Sequence, residues 1–318
     1  MRQLHWTLLT LCLLPMPTSA QPDPQTALQD ALALENRGSF ETAAKVAKAA
    51  IDSRRLTGNE LGNGYVILAV ACQGTGDLAD SQNAFEHALQ VLKHDREHPE
   101  DYATALENYA GFYSDLEKLE VAARIWRKAF HVRQNVGDHT GIALLLTRMA
   151  ELALARNRIR EAHRYFEKAS REMKASPNLV DDDKAFFLET EGWLASAEHH
   201  DSASIAAFQH SLELVERSRG EQHWLAGWDH MLLGKAFAES GDLKSASASM
   251  QTGLKILEHA LGQKNPKYFD SELAYAQVLD QLGSHAEASE IRAAGEKASK
   301  DYHRTQCVGC TINTAALR

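Results

Sequence analysis

The sequence is short of prolines outside its first residues. Of 7 prolines among 318 residues, only Pro99, Pro177 and Pro266 lie beyond residue 24. Runs of alternating β-branched residues are also missing, whereas Ala, Leu, Glu and Lys are abundant. Because the missing pattern is that of strands and the abundant residues favour helix, the sequence predicts an all-α protein. Each of the three prolines falls between proposed helix pairs, where its missing backbone donor does no harm.

The motifs of known catalytic and cofactor sites are absent. No glycine-rich phosphate loop, H-E-x-x-H metal motif or G-x-S-x-G nucleophile motif occurs. The 15 histidines include His94 and His98, four apart, and the run His199-His200-Asp201. Neither group has a third ligand that the sequence places beside it. We therefore expect no enzyme activity, no cofactor and no metal site.

Long apolar runs are scarce, and positive charge is in deficit. The most apolar run beyond the N-terminus, residues 142–155, is interrupted by Arg148 and Glu151. The 34 Lys and Arg residues face 43 Asp and Glu residues, which leaves a formal net charge of −9. We therefore expect no transmembrane span in this part of the chain. The acidic balance argues against nucleic acid and anionic membrane surfaces as partners.

Residues 1–20 have the organisation of a secretory signal. Arg2 precedes an apolar stretch from about Trp6 to Leu14, and two prolines and three small residues follow. The apolar core is too short to span a bilayer comfortably, although a membrane anchor or a buried helix is the alternative interpretation. We expect export to the periplasm or the exterior, with cleavage near Ala20 and residues 21–24 as a linker. The sequence contains no N-x-[ST] sequon, which agrees with a bacterial origin.

Residues 65–92 read as two amphipathic helices joined by a tight turn. Gly76 stands where the first helix ends, and glycine adopts positive φ without steric cost. Asp77 follows as a candidate N-cap of the second helix. A second copy covers residues 233–257. The apolar face of the first helix follows the i, i+3, i+4, i+7 spacing at Tyr65, Leu68, Ala69 and Cys72.

The unit recurs along the chain. A small residue stands near the end of each proposed second helix, every 38 to 42 residues, at Ala50, Ala88, Ala129, Ala169, Ser211, Gly253 and Gly295. Another lies seven residues earlier, at Ala43, Ser81, Ala122, Ala162, Ser204, Ala246 and Ala288. The middle units carry a large residue between them, at Phe85, Trp126, Phe166, Phe208 and Met250. Ala47 and Arg292 take that place in the end units, as capping repeats permit. Seven hairpins that stack to bury their apolar faces are predicted.

These residues resemble the tetratricopeptide repeat. The order of Leu or Tyr, small, aromatic, Gly-Asp, small, aromatic and small residues is its signature, and it occurs in residues 65–88 and 233–253. The period is longer than the usual 34 residues. With His98-Pro99 followed by residues 103–113, and with Gly262 to Pro266, the chain resembles the longer-helix variety typified by kinesin light chains. Three proposed turns depart from the pattern, because glycine is replaced there by Glu117, Asn157 and His199.

The resemblance implies a right-handed superhelix over residues 25–300, whose concave side is lined by first helices and binds peptides or proteins. The residues that would line this groove are Leu144, Thr147, Glu151, Leu154, Phe186, Glu189, Trp193, Ser196, Trp228, Met231 and Lys235. We expect an aromatic-rich centre that binds a peptide, since Trp dominates binding hot spots. The alternative is that these aromatics are ordinary core. The basic clamp that some members use for peptide carboxylates is absent, because Val66 and Val70 occupy matching places and Lys235 stands alone.

The tail, residues 301–318, contains Cys307 and Cys310. In an oxidising compartment this pair is expected to form a local disulfide or to link chains, while a redox or metal role and no role at all stay open. Cys72 falls on a packing position and is expected to be an inert core thiol. The sequence thus predicts an exported scaffold for a protein or peptide partner. The alternatives are a self-associating envelope component that uses the array edges and the tail, and a redox or metal accessory protein that uses Cys307 and Cys310.

Overall fold

A computed structural model describes residues 23–176 and 179–306. Within these ranges the chain forms helices and turns and contains no strand, which confirms the all-α prediction. In chain order the helices are α1 (Pro24–Asn36), α2 (Phe40–Asp52), α3 (Gly58–Thr75), α4 (Leu78–Leu92), α5 (Pro99–Asp115), α6 (Leu119–Val136), α7 (His139–Ala155), α8 (Ile159–Ala175), α9 (Asp181–Ala197), α10 (Asp201–Arg219), α11 (Trp224–Glu239), α12 (Leu243–Leu261), α13 (Pro266–Gln281) and α14 (His285–Gln306). No helix in this part of the chain is both long and apolar enough to cross a membrane.

The helices pack as seven hairpins, as the period predicts. Each odd-numbered helix packs against the even-numbered helix that follows it, and consecutive hairpins stack. Odd-numbered helices also contact the next odd-numbered helix at most steps, whereas successive even-numbered helices do not pack together in the same way. Helices inside a curved stack lie closer together than those outside. The odd-numbered helices therefore form the concave layer, and the even-numbered helices form the convex layer.

The small residues of the period let the two layers approach closely. All fourteen predicted small positions are buried, and the large residue between them is almost fully buried in Phe85, Trp126, Phe208 and Met250. A Cβ on Gly253 would lie 2.6 Å from the backbone oxygen of Gly227, so only glycine fits at that step. Small and large residues thus interlock along the array. Burial of one such large side chain stabilises the fold by about 1.5–3 kcal/mol.

The turns inside the hairpins share one left-handed conformation whether or not they contain glycine. Gly76 has φ +82°, and the Asp77 side chain accepts a hydrogen bond from the backbone amide of Asp80, as predicted. Glu117, Asn157 and His199 have φ +57°, +55° and +58°. The three turns that lack glycine therefore follow the same backbone path. These three residues adopt a left-handed backbone conformation that costs an L-residue roughly 1–2 kcal/mol.

Exchange of residue types at these turns has a predictable sign. His199→Gly should raise the free energy of unfolding by up to about 1 kcal/mol, because the relief of left-handed strain exceeds the entropy cost of glycine. Gly241→Ala should lower it by about 1 kcal/mol, since Gly241 has φ +87° and an added Cβ meets nothing within 4 Å. Urea denaturation of both variants checks this. If both variants gained stability, or both lost it, the explanation by left-handed strain would be contradicted.

The array curls until its first and later hairpins meet. The Nε2 atom of His223 lies 2.5 Å from the backbone oxygen of Asn36, and the Nδ2 atom of Asn265 donates to the Gly74 oxygen at 3.5 Å. Because His223 Nδ1 accepts the Leu225 amide, the neutral ring must donate from Nε2 to Asn36. These contacts join residues about 190 positions apart. The odd-numbered helices therefore surround a common interior.

One buried ion network ties the third hairpin to the fourth. The guanidinium of Arg133 in α6 donates to Glu107 Oε1 and Asp138 Oδ2 at 2.8 Å each, and to Thr104 Oγ1 at 2.9 Å. The Arg133 side chain is only 11% exposed. Burial raises the pKa of Glu107, although Arg133 opposes that rise. Since α5, α6 and the N-cap of α7 all contribute, the network links the two hairpins.

The ends of the array differ slightly from the prediction. Pro99 and Pro266 are the first residues of α5 and α13, where proline is favoured. The array begins at Pro24 rather than at residue 25, and α14 continues to Gln306, so the first six residues of the predicted tail are helical. The predicted signal at 1–20, Pro177, and the Cys307 and Cys310 pair lie outside the described residues.

Candidate binding surface

The concave face is built from the first helix of each hairpin. In its middle, α7, α9, α11 and α13 lie side by side. Hydrogen bonds link neighbouring first helices, because Thr190 of α9 donates to Glu151 of α7 at 3.2 Å and Ser196 of α9 donates to Glu239 of α11 at 2.5 Å. We call the surface formed by these four helices the concave face.

Three aromatic rings on this face are each covered by a cation from a neighbouring hairpin. The guanidinium carbon of Arg148 lies 3.9 Å from the centre of the Phe186 ring. Lys235 Nζ lies 4.2 Å from the Trp193 ring, and Lys267 Nζ lies 4.5 Å from the Trp228 ring. All three rings are half-buried. A cation over an aromatic face stabilises by about 0.5–2 kcal/mol, so each ring keeps a polar cover instead of bare apolar surface.

The two tryptophan rings lie between the core and the concave face. Trp193 contacts the buried Phe208 ring edge-on, with centres 5.5 Å apart, so one side of it belongs to the core. Its other side carries Lys235, whose side chain is 48% exposed. Trp228 likewise packs beside a buried cluster and lies under Lys267. Each of these two tryptophan rings therefore packs against the core on one side and lies beneath a long, flexible cationic side chain on the other.

Three carboxylates gather behind the aromatic rings. Glu151 pairs with Arg148 at 3.3 Å and accepts the Thr190 hydroxyl, and its side chain is 27% exposed. Asp229 is fully buried, and its Oδ2 accepts the Ser211 hydroxyl at 3.0 Å. Its Oδ1 has no hydrogen-bond partner among the described residues. Glu189 forms neither an ion pair nor a hydrogen bond in that part of the chain.

Crowding of the carboxylates changes their acidity. Burial, then the charges of Asp229 and Glu151, hold the pKa of Glu189 well above its usual range, although Arg148 and Lys267 oppose this. Burial raises the pKa of Asp229 to about 7. Burial also raises the pKa of Glu151 against the opposing charge of Arg148. The interior therefore resists carrying all its negative charges at once, and an added cation there would relieve that resistance.

A cleft opens where the concave layer is interrupted. α5 and α7 scarcely touch, unlike most consecutive first helices, and a space of about 180 Å³ lies between them. The lining consists of Gly111, Ser114, Asp115, Leu119, Trp126, Arg148, Glu151, Leu152 and Ala155. A Cβ on Gly111 would meet no atom within 4 Å, so this glycine faces open space. Through Arg148 and Glu151 the cleft joins the concave face.

Two residues of the predicted groove are corrected by the structure. Met231 is 4% exposed and lies beside Met250 in the core between α11 and α12. Thr147 is fully buried and donates to the Ala143 carbonyl. Both lie on the packed face of their helices, because a stripe at helical spacing does not distinguish the edge of a face from its centre. The half-buried or exposed residues of the prediction are Leu144, Glu151, Leu154, Phe186, Glu189, Trp193, Ser196, Trp228 and Lys235.

Sequence reasoning predicts Lys235 in the groove but finds neither the other two cations nor the cleft. It identifies Arg148 only as an interruption of an apolar run and assigns nothing to Lys267 and Gly111. A signal existed for the cations, because Arg148, Lys235 and Lys267 each lie about one repeat away from the ring they cover. The cleft had no such signal, since it depends on the separation of α5 from α7.

The structure bears on the predictions made for Cys72 and for the histidines. Cys72 is buried, and burial followed by the charges of Asp77 and Asp80 raises the pKa of its thiol to about 11. At neutral pH it is therefore protonated and a poor nucleophile. No group of three or more His, Cys, Asp and Glu residues in the described ranges has the arrangement of a metal site.

Comparisons with known proteins agree with the repeat assignment. The tetratricopeptide repeat family model matches residues 101–172, which cover α5 to α8. A search of curated proteins gave no match.

Several solved structures share the fold. A Rap protein complexed with competence and sporulation factor has a TM-score of 0.65 and 13% identity, over 90% of this chain and 79% of that chain. The Rap conjugation gene regulator of plasmid pLS20, in complex with the Phr* peptide, has a TM-score of 0.65 and 14% identity over 92% and 75%. The apo form of RapI has a TM-score of 0.61 and 12% identity over 88% and 99%. At these identities the likeness concerns the fold. The tetratricopeptide repeat model thus matches residues 101–172, at the centre of a chain whose described helices stack as seven hairpins with the fold of these solved structures.

Proposed function

We propose that this protein is a non-catalytic scaffold that binds a peptide segment of a partner on its concave face. The observation that carries the proposal is the set of three half-buried rings covered by cations, Phe186 under Arg148, Trp193 under Lys235 and Trp228 under Lys267. Long side chains can swing away from a ring at low cost, and the ring then offers a large rigid contact. Aromatic residues supply most of the energy in such binding hot spots.

The similar structures support the choice of a peptide. One Rap protein was solved with competence and sporulation factor, and another was solved with the Phr* peptide. This chain shares their fold, and a curved array of first helices offers an extended peptide many contacts along its length. The polar ladder from Glu151 through Thr190, and from Ser196 to Glu239, also supplies donors and acceptors that a peptide backbone can use.

Replacement of the two tryptophans tests the proposal. Trp193→Ala and Trp228→Ala should each weaken the binding of peptides selected from a random library by about 30-fold, the equivalent of a 2 kcal/mol hot spot. Fluorescence anisotropy of labelled peptides measures this. Phe85→Leu is the control, because Phe85 is fully buried in α4 and its truncation lowers stability without touching the concave face.

The proposed binding surface and the alternative, that these aromatics are ordinary core, predict different results. A tryptophan variant that loses stability like Phe85→Leu but binds peptides as tightly as the unaltered chain would sink the proposal. Failure of the unaltered chain to select any peptide would sink it too.

We also propose that the scaffold acts outside the cytoplasm, on the strength of the signal-like residues 1–20. Expression in a bacterium, followed by fractionation and N-terminal sequencing of the product, tests this. Cleavage next to Ala20 in the periplasmic or secreted fraction is the expected result. A cytoplasmic product that keeps Arg2 would overturn it.

A further inference from the structure

The cleft between α5 and α7 has the shape and lining of a pocket for one long side chain. Its walls include the apolar surfaces of Leu119, Trp126 and Leu152, and Gly111 leaves one side open. A volume of about 180 Å³ holds a single long side chain but not a stretch of peptide. The acidic residues Asp115 and Glu151 also line it. Apolar walls beside carboxyl groups suit a flexible apolar stem that ends in a cation.

The charge around the cleft is short of cations. Arg148 and Lys267 are the positive groups that act on Glu151 and Glu189, and each already lies against an aromatic ring. Asp115 lines the cleft as well, and Asp229 is a further carboxyl that acts on Glu189. The excess of negative charge near the cleft is therefore a local feature, in addition to the negative net charge of the whole chain. A cation that enters the cleft meets an attractive field.

Asp229 shows independently that the interior lacks a positive partner. It is 0% exposed, and one of its carboxylate oxygens has no hydrogen-bond partner among the described residues. The single hydroxyl hydrogen of Ser211 lies within reach of the other oxygen and of the Ala185 carbonyl, one helical turn before Glu189. When Asp229 is ionised, its charge acts on Glu189. A buried carboxyl with a free oxygen is costly to ionise unless a cation compensates it.

From this geometry we propose that the cleft receives a Lys or Arg side chain of the bound peptide, with Glu151 as its counter-ion. Trp126 and Leu152 pack along the stem, and Asp115 stands at the rim. The inference rests on the proposed peptide-binding function and adds the chemistry of one ligand residue. The cleft joins the concave face at Arg148, which also covers Phe186, so a peptide on the aromatic rings can reach the cleft with a neighbouring residue.

Peptide pools that differ at one position test the proposal. The probes are capped octapeptides with randomised flanks and a fixed central Arg, Lys, Gln or Glu, which are passed over the immobilised chain. The Arg and Lys pools should be retained at least tenfold more than the Gln pool, and the Glu pool least. Putrescine is added in a second arm, and competition at the same concentration as the peptides would identify a free amine instead of a peptide side chain as the guest.

If the cleft binds the cationic side chain, variants that fill the cleft or remove its counter-ion must abolish the preference for the Arg and Lys pools. Gly111→Leu fills the cleft while every charge stays, and it should fold because the added Cβ meets nothing within 4 Å and leucine favours helix. Glu151→Gln removes the counter-ion. Both should reduce the Arg-to-Gln retention ratio to about one. Gly111→Ala is the small matched control, and Glu191→Gln is the charge control on an exposed face of α9; both should keep the ratio.

The outcomes separate this inference from the proposed function. Equal retention of the Arg, Lys and Gln pools would overturn the cationic side chain while peptide binding stands. Retention of no pool would overturn peptide binding itself. An unchanged preference in a folded Gly111→Leu variant, with helix content checked by circular dichroism, would place the cationic residue elsewhere and overturn the cleft.

Discussion

Replacement of Asp229 by Asn should make the pH dependence of stability much weaker. The folded-state pKa of Asp229 is about 7, because of burial, whereas an unfolded Asp titrates near 3.8. Between these values the folded state holds a proton that the unfolded state has lost, so the free energy of unfolding falls as pH rises. A difference of about three pKa units corresponds to roughly 4 kcal/mol, lost between pH 4 and pH 8. The Asn side chain has no charge to lose.

Stability curves of the two proteins should therefore cross. The Asn amide leaves one donor without a partner, which costs about 1–3 kcal/mol at every pH. The variant should be less stable than the unaltered chain at pH 4 and more stable at pH 8, as measured by urea denaturation at both values. Parallel curves would contradict the assignment of the raised pKa to this carboxyl.

Asp182 offers a control of opposite sign. Burial raises its pKa, but hydrogen bonds from Arg219 and Ser218 outweigh burial and leave the pKa lowered. The stability that this group contributes is present above the unfolded pKa and is lost as pH falls through the folded one. Asp182→Asn should therefore destabilise the chain at neutral pH and have little effect in acid.

Replacement of Arg133 by Met should cost about 3–5 kcal/mol, the second large effect. Met matches the apolar stem of arginine but leaves the half-buried Glu107 without its charged partner and removes one bond from Thr104. Thermal unfolding followed by circular dichroism measures the loss. Arg133→Lys should fall in between, because an ammonium cannot satisfy Glu107, Asp138 and Thr104 together in the geometry of the guanidinium fork.

The double variant decides the cause of that loss. If the loss of stability comes from the unpaired charge of Glu107, Arg133→Met combined with Glu107→Leu should recover a large part of it. Buried ion pairs can often be replaced by apolar groups. If it came from lost packing of the arginine stem, the double variant would be at least as unstable as the single one. The coupling between the two changes therefore separates electrostatics from packing.

The repeat architecture was predictable because its causes are local. Small residues at Ala43 and Ala50, and at the matching places in later units, report a close helix approach wherever they occur. Glu117, Asn157 and His199 show that the period overrides turn chemistry. These residues adopt positive φ because the packed helices on either side require it, although glycine would do so at lower cost.

The candidate site was only partly predictable. Helical spacing placed Phe186, Trp193 and Trp228 on first helices, but it placed Met231 beside them when Met231 is core. Which side of a stripe faces the interior depends on the rotation of each helix in the stack. Neighbouring repeats set that rotation, and a single helix does not encode it.

The sequence by itself determined the helix hairpins, their number and their period, because these follow from local apolar spacing, caps and small residues repeated along the chain. Only the tertiary structure decided the contacts of His223 with Asn36 and of Asn265 with Gly74, the cations that cover the rings, and the cleft between α5 and α7. The contacts of His223 and Asn265 depend on the accumulated curvature of many hairpins, in which small rotations at every step add up to contacts across the whole array. The covered rings and the cleft depend on how each hairpin is rotated and spaced against its neighbour.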